Sequence, residues 1–181
     1  CKMRGNTRAL LKGERTALNL IQHMSGIATA TRHCVKLVEG TAASVVDTRK
    51  TLPGLRPLQK YAVTCGGGKN HRYNLSDAAM LKDNHIDAYG GITAAVEALR
   101  KKAGHMVKIE VETRTLDDLR EALAVGADII MLDNRDCVTM TEAVTPSVPS
   151  SNPPATSPRT TSATWQKPAW TSFPWARLHI P

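Results

Sequence analysis

The sequence predicts an α/β protein in which a long helix precedes βα units whose strands lie parallel in one sheet. Three observations carry this. Residues Arg8 to Glu39 repeat apolar side chains at helical spacing, four later apolar runs each close on charged residues, and amphipathic helical patterns separate the last of those runs. Strand and helix alternating at this spacing make crossover connections, and crossovers of that kind join parallel strands.

Taken in order, the first helix places Leu10, Leu11, Leu18, Leu20, Ile21, Met24 and Ile27 on one apolar face, with Ser25 and Gly26 as the point where it could break. The strands are read over SVVDTRK (44–50), AMLKDNH (79–85), VKIEVE (107–112) and DIIMLDN (128–134). Two helices follow from ITAAVEALRKKA (92–103) and TLDDLREALAVG (115–126). In the second, Thr115 is the N-cap, because its hydroxyl can accept one of the orphan N–H groups of the first turn, and Gly126 is the stop.

From Val144 onward the composition changes. Residues 144–181 hold eight of the ten prolines, all three tryptophans and the one phenylalanine, with no glycine and no acid. This stretch has no helical or strand period and reads as a disordered tail, so the chain divides into a globular part, 1–143, and a tail, 144–181.

With 181 residues, 41% of them hydrophobic, the chain is long enough for one domain with a real core. No apolar run reaches the roughly 20 residues of a membrane span, and the first residues lack the apolar block of a signal peptide, so a soluble, cytoplasmic protein is expected. Cys1, Cys34, Cys65 and Cys137 are scattered without metal or disulfide spacing, which predicts reduced thiols. The formal charge of +8 invites a nucleic-acid reading. Its distribution argues against one: beyond residue 100 the bases are mostly interspersed with acids, aromatics for base stacking are 4% of the chain, and no nucleic-acid-binding signature is present. A local anion site fits better.

That site is read around residues 45–75. Arg49, Lys50, Arg56, Lys60, Lys69, His71 and Arg72 follow a strand end and surround Gly66–Gly67–Gly68, with no acid between Asp47 and Asp77. The glycines permit either backbone approach to a ligand or a tight turn, and arginine's fork matches a carboxylate or phosphate. Lys82 closes the next strand and would face the same pocket; His85 is open between a structural hydrogen bond and catalysis. Glu112 and Asp133 end neighbouring strands, where acids either cap helices or, as a pair beside an anion, suit Mg²⁺. Glu110, two residues earlier on the same strand face, is the rival to Glu112. In α/β barrels the chemistry sits at such strand ends.

TALNLIQHMSGIAT, DTRKTLPGLRPLQKYAV, GGGKNHRYNLSDAAMLKDNH, IEVE and MLDN, in this order, resemble the quinolinate phosphoribosyltransferase family over Arg8 to Val144. The resemblance implies an incomplete, TIM-like α/β barrel preceded by an N-terminal sandwich domain, assembled as at least a homodimer. It implies the reaction of quinolinate with phosphoribosyl pyrophosphate, giving nicotinate mononucleotide, pyrophosphate and CO₂ for NAD synthesis. Carried to matching positions, Arg49, His71, Arg72 and Lys82 would hold the substrate carboxylates or nearby phosphates, Lys50 the pyrophosphate side, and Glu112 and Asp133 Mg²⁺ and the ribose hydroxyls. Of these, Lys50, Lys82, Glu112 and Asp133 are the expected catalytic set. Arg15 would reach the pocket of a neighbouring subunit. Alternatives are a catalytically dead anion-binding fragment and a paralogous nicotinate phosphoribosyltransferase.

The chain departs from that pattern at both ends: it begins just before the long helix, and the family's last barrel strands, with their phosphate-binding SGN and GAL turns, are not found. An inactive fragment is therefore expected. Codon degeneracy suggests a frame error between about Val144 and Ser150. Shifted one base earlier, the tryptophan codons at Trp165, Trp170 and Trp175 become parts of Ala, Asp and Gly codons, and residues 163–180 can be read as DVAETGVDFISVGALTHS, the family's terminal pattern.

Overall fold

The computed structural model describes residues 2–135, 139, 140, 143, 160–165 and 177–180. Eleven elements follow in order: α1 (Thr7–Leu37), β1 (Ser44–Val46), α2 (Arg56–Cys65), β2 (Ala78–Leu81), α3 (Asp83–Tyr89), α4 (Ile92–Lys102), β3 (Lys108–Thr113), α5 (Leu116–Ala124), β4 (Ile129–Arg135), β5 (Thr160–Trp165) and β6 (Arg177–Ile180). They form one six-stranded sheet in the order β1-β6-β5-β4-β3-β2. Strands β2 to β5 are parallel, and β6 is antiparallel to both β5 and β1. The first five strands therefore share one direction, and β1 to β4 end on the same side of the sheet.

Register fixes what each face carries. Met80 pairs with Glu110 and Leu81 with Val111, while Val111 pairs with Ile130 and Glu112 with Met131. Leu81, Ile109, Val111, Ile130 and Leu132 lie on one face and form a core with Ile86, Ile92, Ala95, Val96, Leu119 and Ala122 from the covering helices. Since side chains alternate along a strand, Met80, Glu110, Glu112, Met131 and Asp133 occupy the opposite face. The sheet curls around that face: the segment after Gly68 bridges Val46 through Lys69, yet its His71 reaches Glu110 on β3.

The four expected strands and two later helices are present with ends shifted by a few residues. In α5, Thr115 Oγ1 accepts the Asp118 N–H, and Gly126 follows with φ +77°. Helix α1 runs unbroken through Ser25 and Gly26; a helical glycine there costs only about 1 kcal/mol against alanine. Helices α2 and α3 were not expected. The disordered-tail reading needs a correction as well, because Thr160–Trp165 and Arg177–Ile180 are strands. Both segments are proline-free, and the first is rich in β-branched threonine, so each can supply the ladder donors that a proline would remove. Other parts of the proposed frame error lie outside the described residues. No helix among the described residues is long and apolar enough to cross a membrane.

Candidate functional site

The glycine turn has a structural task. Gly66 N donates to Ala62 O, Gly67 N to Thr64 O and Gly68 N to Val63 O, so all three N–H groups close the end of α2 rather than face a ligand. A Cβ on Gly66 would stand 2.5 Å from Ala28 O, and one on Gly68 2.9 Å from Thr31 Cγ2. The glycines let the end of α2 and the segment directly after it seat on α1.

Several cations of the series are likewise internal. Arg56 donates to Thr51 Oγ1, Arg49 O and Tyr73 O. Lys60 is 2% exposed, and its ammonium donates to Asp47 Oδ1 at 2.5 Å and to His71 O at 3.0 Å. Asp47 also accepts the His71 N–H at 2.8 Å, and the Asn70 amide nitrogen, turned inward, reaches Asp47 Oδ2 at 2.7 Å. Burial pushes the Asp47 carboxyl above the usual carboxylate range, against the opposing pull of the Lys60 and His71 hydrogen bonds.

This leaves Arg49, His71, Arg72 and Lys82 at the strand ends. Arg49 and Arg72 line a cavity of about 460 Å³ together with Met80, Lys82 and His85. Arg49 Nε is buried with no hydrogen-bond partner among the described residues. Arg72 donates to Ala78 O at 2.9 Å, which braces it on the β2 edge. The His71 imidazole lies 2.9 Å from the fully buried Glu110, and Lys82 Nζ 3.4 Å from Glu112. His85 Nδ1 accepts the Lys82 N–H at the start of α3.

Lys50 stands apart from those four. It is exposed and borders a second cavity of about 470 Å³ between α1, β1 and α2, with His23, Thr48 and Gln59. Arg15 is exposed on α1 and lines neither cavity.

The carboxylates sort by depth. Glu110 is closed off behind His71, whereas Glu112 lies one pleat nearer the strand ends with its side chain 15% exposed, and Asp133 is half-buried one further step along the same face of β4. Each two-residue step moves about 7 Å along a strand, so Glu112 and Asp133 stand nearer the strand ends than Glu110, although none of the three lines the cavity of Arg49 and Arg72. Among the described residues no cluster of three or more His, Cys, Asp or Glu could hold a metal by itself. A pair of strand-end carboxylates is nonetheless a fitting donor set for Mg²⁺, which keeps several waters or substrate oxygens.

Sequence reasoning missed the Asp47–Lys60 pair, because a lysine in a cationic series reads as solvated. The signal available was its place on one helical face with Gln59, Ala62 and Val63.

Known proteins carry the same framework. The chain is 56% identical over 133 residues to the probable carboxylating nicotinate-nucleotide pyrophosphorylase of Bacillus subtilis (strain 168), covering 74% of this chain and 46% of that protein. It is 54% identical over 127 residues to the carboxylating nicotinate-nucleotide pyrophosphorylase of Mycobacterium leprae (strain TN), covering 70% and 44%. Among solved structures, NadC from Streptococcus pyogenes superposes with a TM-score of 0.74 at 50% identity, over 78% of this chain and 50% of that one. The chain thus spans about half the length of the relatives it matches. Residues 27–153 match the quinolinate phosphoribosyl transferase C-terminal domain; that span takes in β1 to β4 with the strand-end cations and acids just described, and by it the chain belongs to the quinolinate phosphoribosyl transferase family.

Proposed function

We propose that this chain supplies the anion-binding catalytic face of a quinolinate phosphoribosyltransferase. The enzyme would join quinolinate to phosphoribosyl pyrophosphate in NAD biosynthesis. The observation that carries the reading is the convergence of Arg49, Arg72 and Lys82 on one cavity, with Arg49 Nε buried and without a hydrogen-bond partner among the described residues. Such a buried donor loses a hydrogen bond's worth of solvation unless an acceptor arrives, and a pyridine dicarboxylate brings two carboxylates at fixed separation.

In this reading Arg49, His71, Arg72 and Lys82 orient the two carboxylates so that the ring nitrogen faces C1 of the ribose. Attack by that nitrogen forms the C–N bond as the C–O bond to pyrophosphate breaks. Lys50, on the open side, would neutralise charge on the departing group. The 2-carboxylate then leaves as CO₂, its bonding electrons drawn toward the pyridinium nitrogen, and a proton takes its place. Positioning and electrostatic stabilisation supply the rate. Glu112 and Asp133 would hold Mg²⁺, which when bound adds positive charge at the pyrophosphate. Lys82 is paired with Glu112, so a substrate-binding ammonium and a carboxylate that would hold the metal stand side by side. Arg15, on the exposed part of α1, would serve the pocket of a second subunit in a homodimer.

The test is an assay of nicotinate mononucleotide and CO₂ formation from quinolinate, phosphoribosyl pyrophosphate and Mg²⁺, run beside quinolinate and nicotinate binding. The reading expects strong preference for the dicarboxylate in both. Equal binding of nicotinate would favour the paralogous nicotinate enzyme, and binding without turnover an anion-binding chain.

A further inference from the structure

The buried Lys60–Asp47 pair joins three pieces of chain that the sheet itself does not pair. Asp47 follows β1, Lys60 belongs to α2, and His71 lies in the segment that leads toward β2. In the sheet order β1 and β2 are the two edges, so no ladder fixes one against the other. Residues 69–73 cross that gap. Lys69 is tied to β1 by its N–H to Val45 O, and Arg72 to β2 by its bond to Ala78 O. Between them His71 is gripped on both sides of its backbone, its N–H by Asp47 and its carbonyl by Lys60. The Lys60 ammonium also stands 5.9 Å from the centre of the Tyr73 ring.

Stability alone is a weak reason for burying this pair, since replacing a buried ion pair by apolar residues is often neutral or stabilising. What a charged pair supplies and an apolar one does not is directional hold on backbone polar groups. Here the groups held are those of His71, whose neighbour Arg72 and imidazole both enter the strand-end face.

Resting on the substrate reading above, we infer that Lys60 is a positioning residue: with Asp47 it sets where His71 and Arg72 stand, and thereby the affinity for the dicarboxylate, without touching substrate itself.

The experiment uses an enzyme of the relatives' length that carries this domain. Lys60→Met alone strands a buried carboxylate and can unfold the chain, so the informative variant is the double Asp47→Asn/Lys60→Met. It is neutral, keeps an acceptor for the His71 N–H and removes the donor to His71 O. The expected result is a cooperative fold, a KM for quinolinate raised about tenfold or more, and kcat changed much less. A KM equal to that of the parent would overturn the inference and leave the pair as plain core structure.

A second measurement separates this inference from the substrate reading. The ring resonances of His71, assigned in the substrate-free protein, should shift in the double variant while those of the remote His105 stay in place. If the parent enzyme shows no preference for quinolinate, the substrate reading fails and the His71 resonances decide alone: movement supports the positioning role, and unmoved resonances overturn it.

Discussion

The His71 imidazole stands 2.9 Å from Glu110 Oε2, a carboxylate with no solvent exposure in the wall of the sheet. Beside it Lys82 leans on Glu112 and Arg72 on the Ala78 carbonyl. Lys82 and Arg72 are thus engaged by the chain's own acceptors, whereas Arg49 Nε is buried without one among the described residues.

Arg49→Ala and Arg72→Ala, in an enzyme of the relatives' length, should each weaken quinolinate binding by about 2 to 5 kcal/mol, the usual cost of removing one partner from a desolvated charged hydrogen bond. Arg120→Ala is the control, since its exposed pair with Asp117 belongs to a class worth at most about 1 kcal/mol. Titration calorimetry with quinolinate measures all three. Affinities indistinguishable from the parent in both site variants would remove these arginines from the pocket.

Alanine at Glu112 or Asp133 should lower turnover and raise the Mg²⁺ concentration needed for half-maximal rate, with a smaller effect on quinolinate affinity. Initial rates across a Mg²⁺ series give the answer. A parental rate and metal response in either variant would mean that the acid there only caps its strand end.

Gly66→Ala and Gly68→Ala should destabilise by about 1 to 3 kcal/mol, the range for forcing added atoms into packed surroundings. At Gly66 the obstacle is the α1 backbone, with Ala28 O at 2.5 Å from the new Cβ, so a side-chain rotation cannot relieve it. Gly13→Ala, with nothing within 4 Å, should stabilise by about 0.5 to 1 kcal/mol through helix propensity alone. Thermal or urea unfolding tells them apart, and a neutral Gly66→Ala would disprove the close contact of α1 and α2.

Cys34 is 2% exposed and Cys65 is exposed. Burial pushes the Cys34 thiol above its ordinary value, so the folded chain keeps a proton that the unfolded chain releases from about pH 8.5 upward. The stability tied to this thiol is complete below that pH and is lost as pH rises toward the folded value. Peptide-resolved alkylation should modify Cys65 first and Cys34 at the rate of unfolding, and Cys34→Ala should flatten the alkaline fall in melting temperature. Rapid labelling of Cys34 in the native protein would refute the burial.

How much of this was legible in the sequence depended on where polarity and period agreed. β3, β4, α4 and α5 carry clear apolar periods, and Thr115 and Gly126 mark their helix by local chemistry, so these elements were readable. α2 was not, because its buried face includes Gln59 and Lys60, and a polar residue satisfied by tertiary contacts looks solvated in one dimension. α3 is only seven residues long and starts directly after β2, too short for a period to emerge. The cations of residues 49–72 were visible as a group, but their division into braces (Arg56, Lys60) and strand-end groups (Arg49, His71, Arg72) required knowing which carbonyls lie beside them. The difference between Glu110 and Glu112 was likewise hidden: both share a face, and only the three-dimensional contacts set the buried Glu110 against His71 and the more exposed Glu112 against Lys82.

The pairing of β1 bears on how the chain would fold. Apart from the bridge between Val46 and Lys69, β1 is paired with β6, Ser44 against His179 and Val45 against Leu178. More than a hundred residues separate these partners, and closing so long a loop has an entropic cost that must be met before the contact returns anything. During synthesis β2, β3 and β4 can assemble with neighbours close in sequence, while β1 waits with open backbone groups until the segment near residue 178 has emerged. The Asp47–Lys60 clamp and the Lys69 bridge are local by comparison, so they could hold β1 against the 69–73 segment through that delay. The rate at which β1 acquires protection from amide exchange should then lag behind that of Lys69 and His71.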